Sequence, residues 1–308
     1  MNCMSTPPGL VSLIVLLLGL IVSGCASVQH VDASSLQQLR NLSYQGIHAQ
    51  TVKLKDGRFE GPTFDAGGAS RLHVQLIEQL MVSGDMTGDG HNEAAVFLTA
   101  GSGGSGSYTY LAIVTKNGFS YQNIATENLG DRVQVRALRL AEGTLILDLI
   151  TAGPDDAVCC PSLNMRNTYR LVEGKLKQIT DKAMGPFKLR DLEGMKWSLA
   201  ELAENEPVPS QISVYGMFDE QRLSGSAGCN RYFTDIKGGG PYNIEIGPVG
   251  ATRMMCPEPM MQVEDRYLAA LQKVRQFGFL FGQLTLVYED DNKPQRLLFV
   301  PKPDEIAQ

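Results

Sequence analysis

The sequence predicts a β-rich α+β fold: an N-terminal antiparallel β domain, then a second antiparallel sheet with one helix packed on it. Three observations predict it. From about Tyr44 to Thr180, apolar or alternating runs of strand length recur between Asn117-Gly118, Glu142-Gly143 and Glu173-Gly174, dipeptides that suit hairpin turns. The stretch DKAMGPFKLRDLEG then interrupts the register with charges and turn residues. Beyond it, strand-like segments resume around a single stretch of near-helical apolar spacing.

The N-terminus addresses location. Residues Gly9 to Val22 read GLVSLIVLLLGLIV, an apolar run of signal-peptide length and short for a membrane span. The following VSGC, ending at Cys25, resembles the lipobox of bacterial lipoproteins. That resemblance implies a signal peptide over 1–24, cleavage before Cys25 and lipidation of its thiol, palmitate included, with the membrane as a partner through the lipid. Ala26 in the next position implies the outer membrane, facing the periplasm. The alternative is an ordinary small-residue cleavage site with an incidental cysteine. The leader MNCMSTPPG carries no Lys or Arg.

Residues 25–43 are expected to form a tether and a short helix, with Ser in ASSLQQLRNL as N-cap and Leu36, Leu39 and Leu42 on one side. The β domain is placed at 44–180. Its sharpest motif is GDMTGDGHNEAAVFL, with Asp85, Thr87, Asp89, His91 and Glu93 at positions one, three, five, seven and nine and Gly90 at six. Alternating oxygens at this spacing can converge on Ca²⁺ while glycine makes the sharp turn. Val96 stands where an EF-hand has its twelfth-position Glu, so the loop is more similar to the shorter calcium loops of FG-GAP repeats. The competing reading is a tight turn launching a buried strand. GSGGSG, residues 101–106, lacks the Gly-Lys-Ser/Thr ending of a phosphate loop and reads as a hairpin connection.

GPDDAVCCPSLN sets Cys159 beside Cys160. Bonded to each other they would form a vicinal disulfide, whose neighbouring Cα atoms, about 3.8 Å apart, lie closer than in ordinary disulfides. Redox-active thiols, free thiols and separate pairings are the alternatives.

A linker is expected over 181–188 and a second domain over 189–301, with a tail at 302–308. Pro257 and Pro259 suit the first turn of a helix whose buried stripe would be Met260, Val263, Tyr267, Leu268, Leu271 and Val274. Met254, Met255, Met260 and Met261 read better as core packing than as a metal box.

The segments LEGMKWSLAEL, LSGSAGCNRYF, VGATRMMCPEPMMQVEDRYLAAL and LTLVYED, in this order, resemble the META domain, or HslJ-like, family. The resemblance marks Trp197, Gly228, Cys229, Asn230, Thr252, Arg253, Met254, Cys256 and Glu264 as its signature. It implies antiparallel sheet with one packed helix, and an association with envelope stress, heat or drug tolerance. It implies no defined reaction.

Cys229 and Cys256 could in principle be a nucleophile, metal ligands or a disulfide. A thiolate nucleophile needs a base, usually His, but the four histidines end at His91. Zinc would need two further ligands, and no C-x-x-C spacing occurs. In an oxidising compartment the simplest reading is a disulfide closing a loop of about 28 residues, worth roughly 3–4 kcal/mol. Two separate buried thiols are the other.

The net charge of −6, without a cluster of Lys and Arg among aromatics, disfavours nucleic acid. No G-x-S-x-G elbow occurs. The expectation is a lipid-anchored envelope protein without enzymatic activity, binding an envelope protein or small ligand. Thiol redox through Cys159 and Cys160, and Ca²⁺-dependent recognition through the Asp85 loop, are the alternatives.

Overall fold

The structure, a computed structural model, describes residues 32–65, 67–104, 106–157 and 159–302. Cys25 and the residues after Lys302 lie outside the described residues. The chain begins with helix α1 (Ala33–Leu39) and a small hairpin, β1 (Ser43–Ile47) with β2 (Gln50–Lys53). The α1 N-cap is Asp32 and not a serine: its Oδ1 accepts the amides of Ser34 and Ser35 at 2.9 and 3.0 Å. Among the described residues no helix is long and apolar enough to cross a membrane.

Two antiparallel meanders follow. The first runs β3 (Arg58–Thr63), β4 (Arg71–Gly84), β5 (Glu93–Gly101), β6 (Tyr108–Asn117) and β7 (Ser120–Asp131) in sequence order. The second runs β8 (Gln134–Ala141), β9 (Thr144–Thr151), β10 (Leu163–Val172) and β11 (Lys175–Pro186). Glu142-Gly143 and Glu173-Gly174 have positive φ at both residues, as the tightest hairpin turns require. Ala95, Phe97, Leu111 and Ile113 face the second sheet across one core, while Val96, Leu98, Ala112 and Val114 face α1 and the small hairpin across another. Strands β5 and β6 are therefore covered on both faces, which is why they read as unbroken apolar runs.

Residues 181–186, expected in a linker, are strand. They complete β11, the edge of its sheet, pairing Asp181 with Asn167 and Pro186 with Leu163. Almost every β11 side chain is exposed. An edge strand that buries nothing carries no apolar periodicity, so its composition looks like a loop.

A 3₁₀ turn at Leu189–Leu192 leads into the second half: β12 (Lys196–Ala203), β13 (Glu206–Pro207), β14 (Val214–Asp219), β15 (Arg222–Ala227), β16 (Arg231–Gly238), β17 (Ile244–Ile246), β18 (Gly250–Ala251), α2 (Glu258–Lys273), β19 (Val274–Leu280), β20 (Gln283–Asp290) and β21 (Lys293–Lys302). The main sheet is ordered β17-β16-β15-β14-β12-β21-β20-β19. An Asn243–Gln276 bridge and the Phe277 amide on the Tyr242 carbonyl at 2.8 Å draw its two edges together, making a near-closed barrel. Helix α2 buries Val263, Glu264, Tyr267, Ala270 and Leu271.

The two halves share a junction. The β19–β20 turn reaches out of the barrel, and Phe281, 7% exposed, packs into the core between the two N-terminal sheets beside Phe97, ring centroids 5.7 Å apart. Phe279 N donates to Gln134 Oε1, and Gly282 N to the Val135 carbonyl, both at 2.8 Å. Arg136 donates to Asn164 Oδ1 and the Asp191 carbonyl, with its guanidinium 5.4 and 5.3 Å from the rings of Phe187 and Phe279. Burial lowers its pKa below the ordinary arginine value.

Candidate functional site

Of the signature residues, Gly228, Cys229, Asn230, Thr252, Met254, Cys256 and Glu264 converge at the end of the barrel that α2 covers. After β15 the chain turns through Gly228, whose φ of +114° is one that L side chains rarely adopt. A Cβ there would also stand 3.1 Å from Ile212 Cγ2. The turn delivers Asn230, 1% exposed, against α2. Its backbone N–H donates to Glu264 Oε2 at 2.7 Å and its Nδ2 to Glu264 Oε1 at 2.9 Å. Nδ2 also donates to the Met254 carbonyl at 3.2 Å. Asn230 Oδ1 accepts from Thr252 Oγ1 at 2.8 Å and from Met254 N at 2.7 Å. The side-chain amide thus uses both its donors and both its acceptor positions. Cys229 is bonded to Cys256, with Cα atoms 5.9 Å apart, fastening the same segment a second time.

Nearby, Tyr232 and Tyr267 share a 2.6 Å hydroxyl hydrogen bond inside the core, and burial raises both pKa values. Trp197, 5% exposed, donates Nε1–H to the Leu192 carbonyl at 3.1 Å and so ties the entering 3₁₀ turn to the barrel. Arg231 and Arg253 are exposed. Met254 and Met255, expected in the core, are 56% and 99% exposed. The Asn230 bonds hold the Met254 backbone down and leave its side chain outside. Chemically, the cluster is a fully satisfied polar network around one buried carboxylate.

The Asp85 loop is closed by its own first residue. Asp85 Oδ1 accepts the Gly88 amide at 2.6 Å and Oδ2 the Gly90 amide at 2.9 Å, so both oxygens close the loop on itself. Those amides, Gly90 first, hold its pKa below the usual carboxylate value. Asp89 Oδ1 accepts the His91 amide, and Glu93, 2% exposed, points inward to the Met86 amide at 2.9 Å. Among the described residues no three of His, Cys, Asp and Glu are grouped to hold a metal ion. In this structure the Asp85, Asp89 and Glu93 carboxylates each accept a backbone amide of the loop.

Cys159 and Cys160 are bonded to each other in an exposed loop. Asp156 anchors that loop by accepting from Gly153 N at 2.7 Å and from Ser162 N and Oγ, and these bonds, Gly153's first, lower its pKa. Tyr242 of the barrel donates its hydroxyl to the Pro161 carbonyl. This contact brings the loop to the junction between halves, and no sequence motif announces it.

Residues 190–304 match the family model of the META domain. The C-terminal part of this chain is a META domain. A solved NMR structure of a protein from Burkholderia xenovorans is 26% identical, with alignment over 41% of this chain and 97% of that one at a TM-score of 0.31. None of the curated proteins matches the chain. Within the META domain, the Gly-Cys-Asn turn and the Thr-Arg-Met segment are two sides of one fastening, with Glu264 between them.

Proposed function

We propose that this chain is a lipid-anchored protein of the bacterial cell envelope, held at the outer membrane facing the periplasm, whose META domain has a non-enzymatic binding or structural role in envelope stress tolerance. The META domain at residues 190–304 carries the reading. Two cysteine pairs suit an oxidising compartment. The Gly9–Val22 run and Cys25 support the anchor. Cys25 to Asp32 spans at most about 25 Å when extended, which would keep the folded body close to the bilayer. The expected result is incorporation of labelled palmitate by the native chain and its loss in Cys25→Ala, which also keeps its leader uncut. A Cys25→Ala chain that still incorporates palmitate, or is still cut to the size of the native mature chain, would overturn the anchor.

A second reading, thiol–disulfide exchange, is favoured by the exposure of Cys159 and Cys160. A dithiol should open this pair first, because its sulfurs are accessible while Cys229 is 9% exposed. Stepwise reduction with dithiothreitol, trapping by alkylation and peptide mapping are expected to label Cys159 and Cys160 before Cys256. Simultaneous opening of both pairs would remove this reading.

A further inference from the structure

The two ends of the META barrel differ. Helix α2 covers the end holding the Gly228 turn, where Arg266 also pairs with Glu206 at 2.5 Å. The opposite end carries the β14–β15 turn at Glu220 and Gln221 and the β16–β17 connection around Pro241. The entering segment, residues 186–190, lines the same end. Between them lies a cavity of about 490 Å³, within the usual range of small-molecule sites of roughly 300–1,000 Å³. Phe187 and Ile236, 2% and 1% exposed, form its floor, and Leu189 and Pro241 continue the apolar lining.

The rim is charged. Lys188 and Arg190 both line the cavity, both are exposed, and neither stands among the ion pairs of the described residues. The neighbouring acid, Asp191, is turned away: its Oδ2 accepts from Lys188 N at 2.7 Å and from Asn164 Nδ2 at 2.9 Å. Glu220 is the one carboxylate in the lining, against two cations. An apolar floor beneath unpaired cations is complementary to a molecule that is apolar at one end and anionic at the other.

We infer that this mouth binds a small amphiphile with one apolar chain and one anionic head, a carboxylate or a phosphate. The chain lies over Phe187 and Ile236, and the head sits between Lys188 and Arg190. The inference deepens the binding reading above and rests on it. Its failure would leave the Cys25 anchor, read by palmitate incorporation, untouched.

Calorimetric titration of the full chain with octanoate, octyl phosphate and octanol tests it. Saturable one-to-one binding of octanoate or octyl phosphate is expected, with octanol at least about tenfold weaker. Lys188→Glu with Arg190→Glu should weaken the anionic ligands at least about tenfold, and Gln221→Tyr, which fills the mouth from the other wall, should block all three. Unchanged far-UV circular dichroism would show that these surface variants fold. Absence of saturation for both anions, equal affinity for octanol and octanoate, or binding indifferent to the charge reversal or to Gln221→Tyr would each overturn the inference.

Discussion

Replacing Asn230 by alanine is expected to destabilise the META domain by about 3 kcal/mol, one of the largest single-residue effects in the chain. The substitution removes four side-chain hydrogen bonds, two donated and two accepted. Thr252 and the Met254 backbone lie near the surface, where water can replace part of what they lose. Glu264 cannot be rescued in that way: it is 5% exposed, and its Oε1 would lose the Nδ2 donor. A buried carboxylate short of a donor is the dominant cost. Asn230→Asp should be at least as damaging, because it sets a second carboxylate oxygen where an N–H₂ now stands 2.9 Å from Glu264 Oε1. Adding Glu264→Gln restores a donor facing an acceptor. The double variant should therefore recover stability, with a coupling of about 1 kcal/mol or more in the cycle. Arg231→Ala, at an exposed position beside the network, should change stability by no more than about 0.5 kcal/mol. Urea unfolding followed by Trp197 fluorescence reads all four, since Trp197 lies in the same core.

The second large effect falls at the junction. Phe281→Ala is expected to cost about 3–4 kcal/mol, although the residue occupies a hairpin turn. Turn substitutions are ordinarily mild, but this ring is 7% exposed and belongs to the N-terminal core with Phe97 and Leu111. Its loss leaves a cavity between the two N-terminal sheets and loosens the seat of the META hairpin. Calorimetric unfolding should show the loss chiefly in the N-terminal transition. Phe119→Ala is the contrast: that side chain is 97% exposed at the β6–β7 turn and should matter by less than about 0.5 kcal/mol. Equal, small effects at both positions would mean that the halves fold without the junction.

These two sites differ in how far the sequence disclosed them. Asn230 was legible, because the Gly-Cys-Asn turn and the Glu-bearing helix stand in a recognisable order, and Glu264 was placed in the same signature. Its physical role was not, because a hydrogen-bond hub joins residues up to 34 positions apart and leaves no local periodicity. Phe281 carried a weaker signal. FGFLFG puts three phenylalanines and a leucine at the tip of a hairpin, more apolar surface than a free turn would expose, but nothing in the chain names the partner. The β-rich fold followed from turn dipeptides and apolar runs because antiparallel meanders join neighbours in sequence. The linker expected at 181–188 misread an edge strand, and the methionine core failed at Met254 and Met255, where backbone anchoring outranks side-chain hydrophobicity.

In this structure the META signature fastens the fold, with Cys229 and Cys256 bonded to each other. Alkylation of the native, unreduced full chain with iodoacetamide, followed by non-reducing peptide mapping, distinguishes this fastening from a free thiol. No label is expected on Cys229 or Cys256, and one peptide pair should be joined through them. Rapid labelling of a free Cys229 thiolate would contradict it.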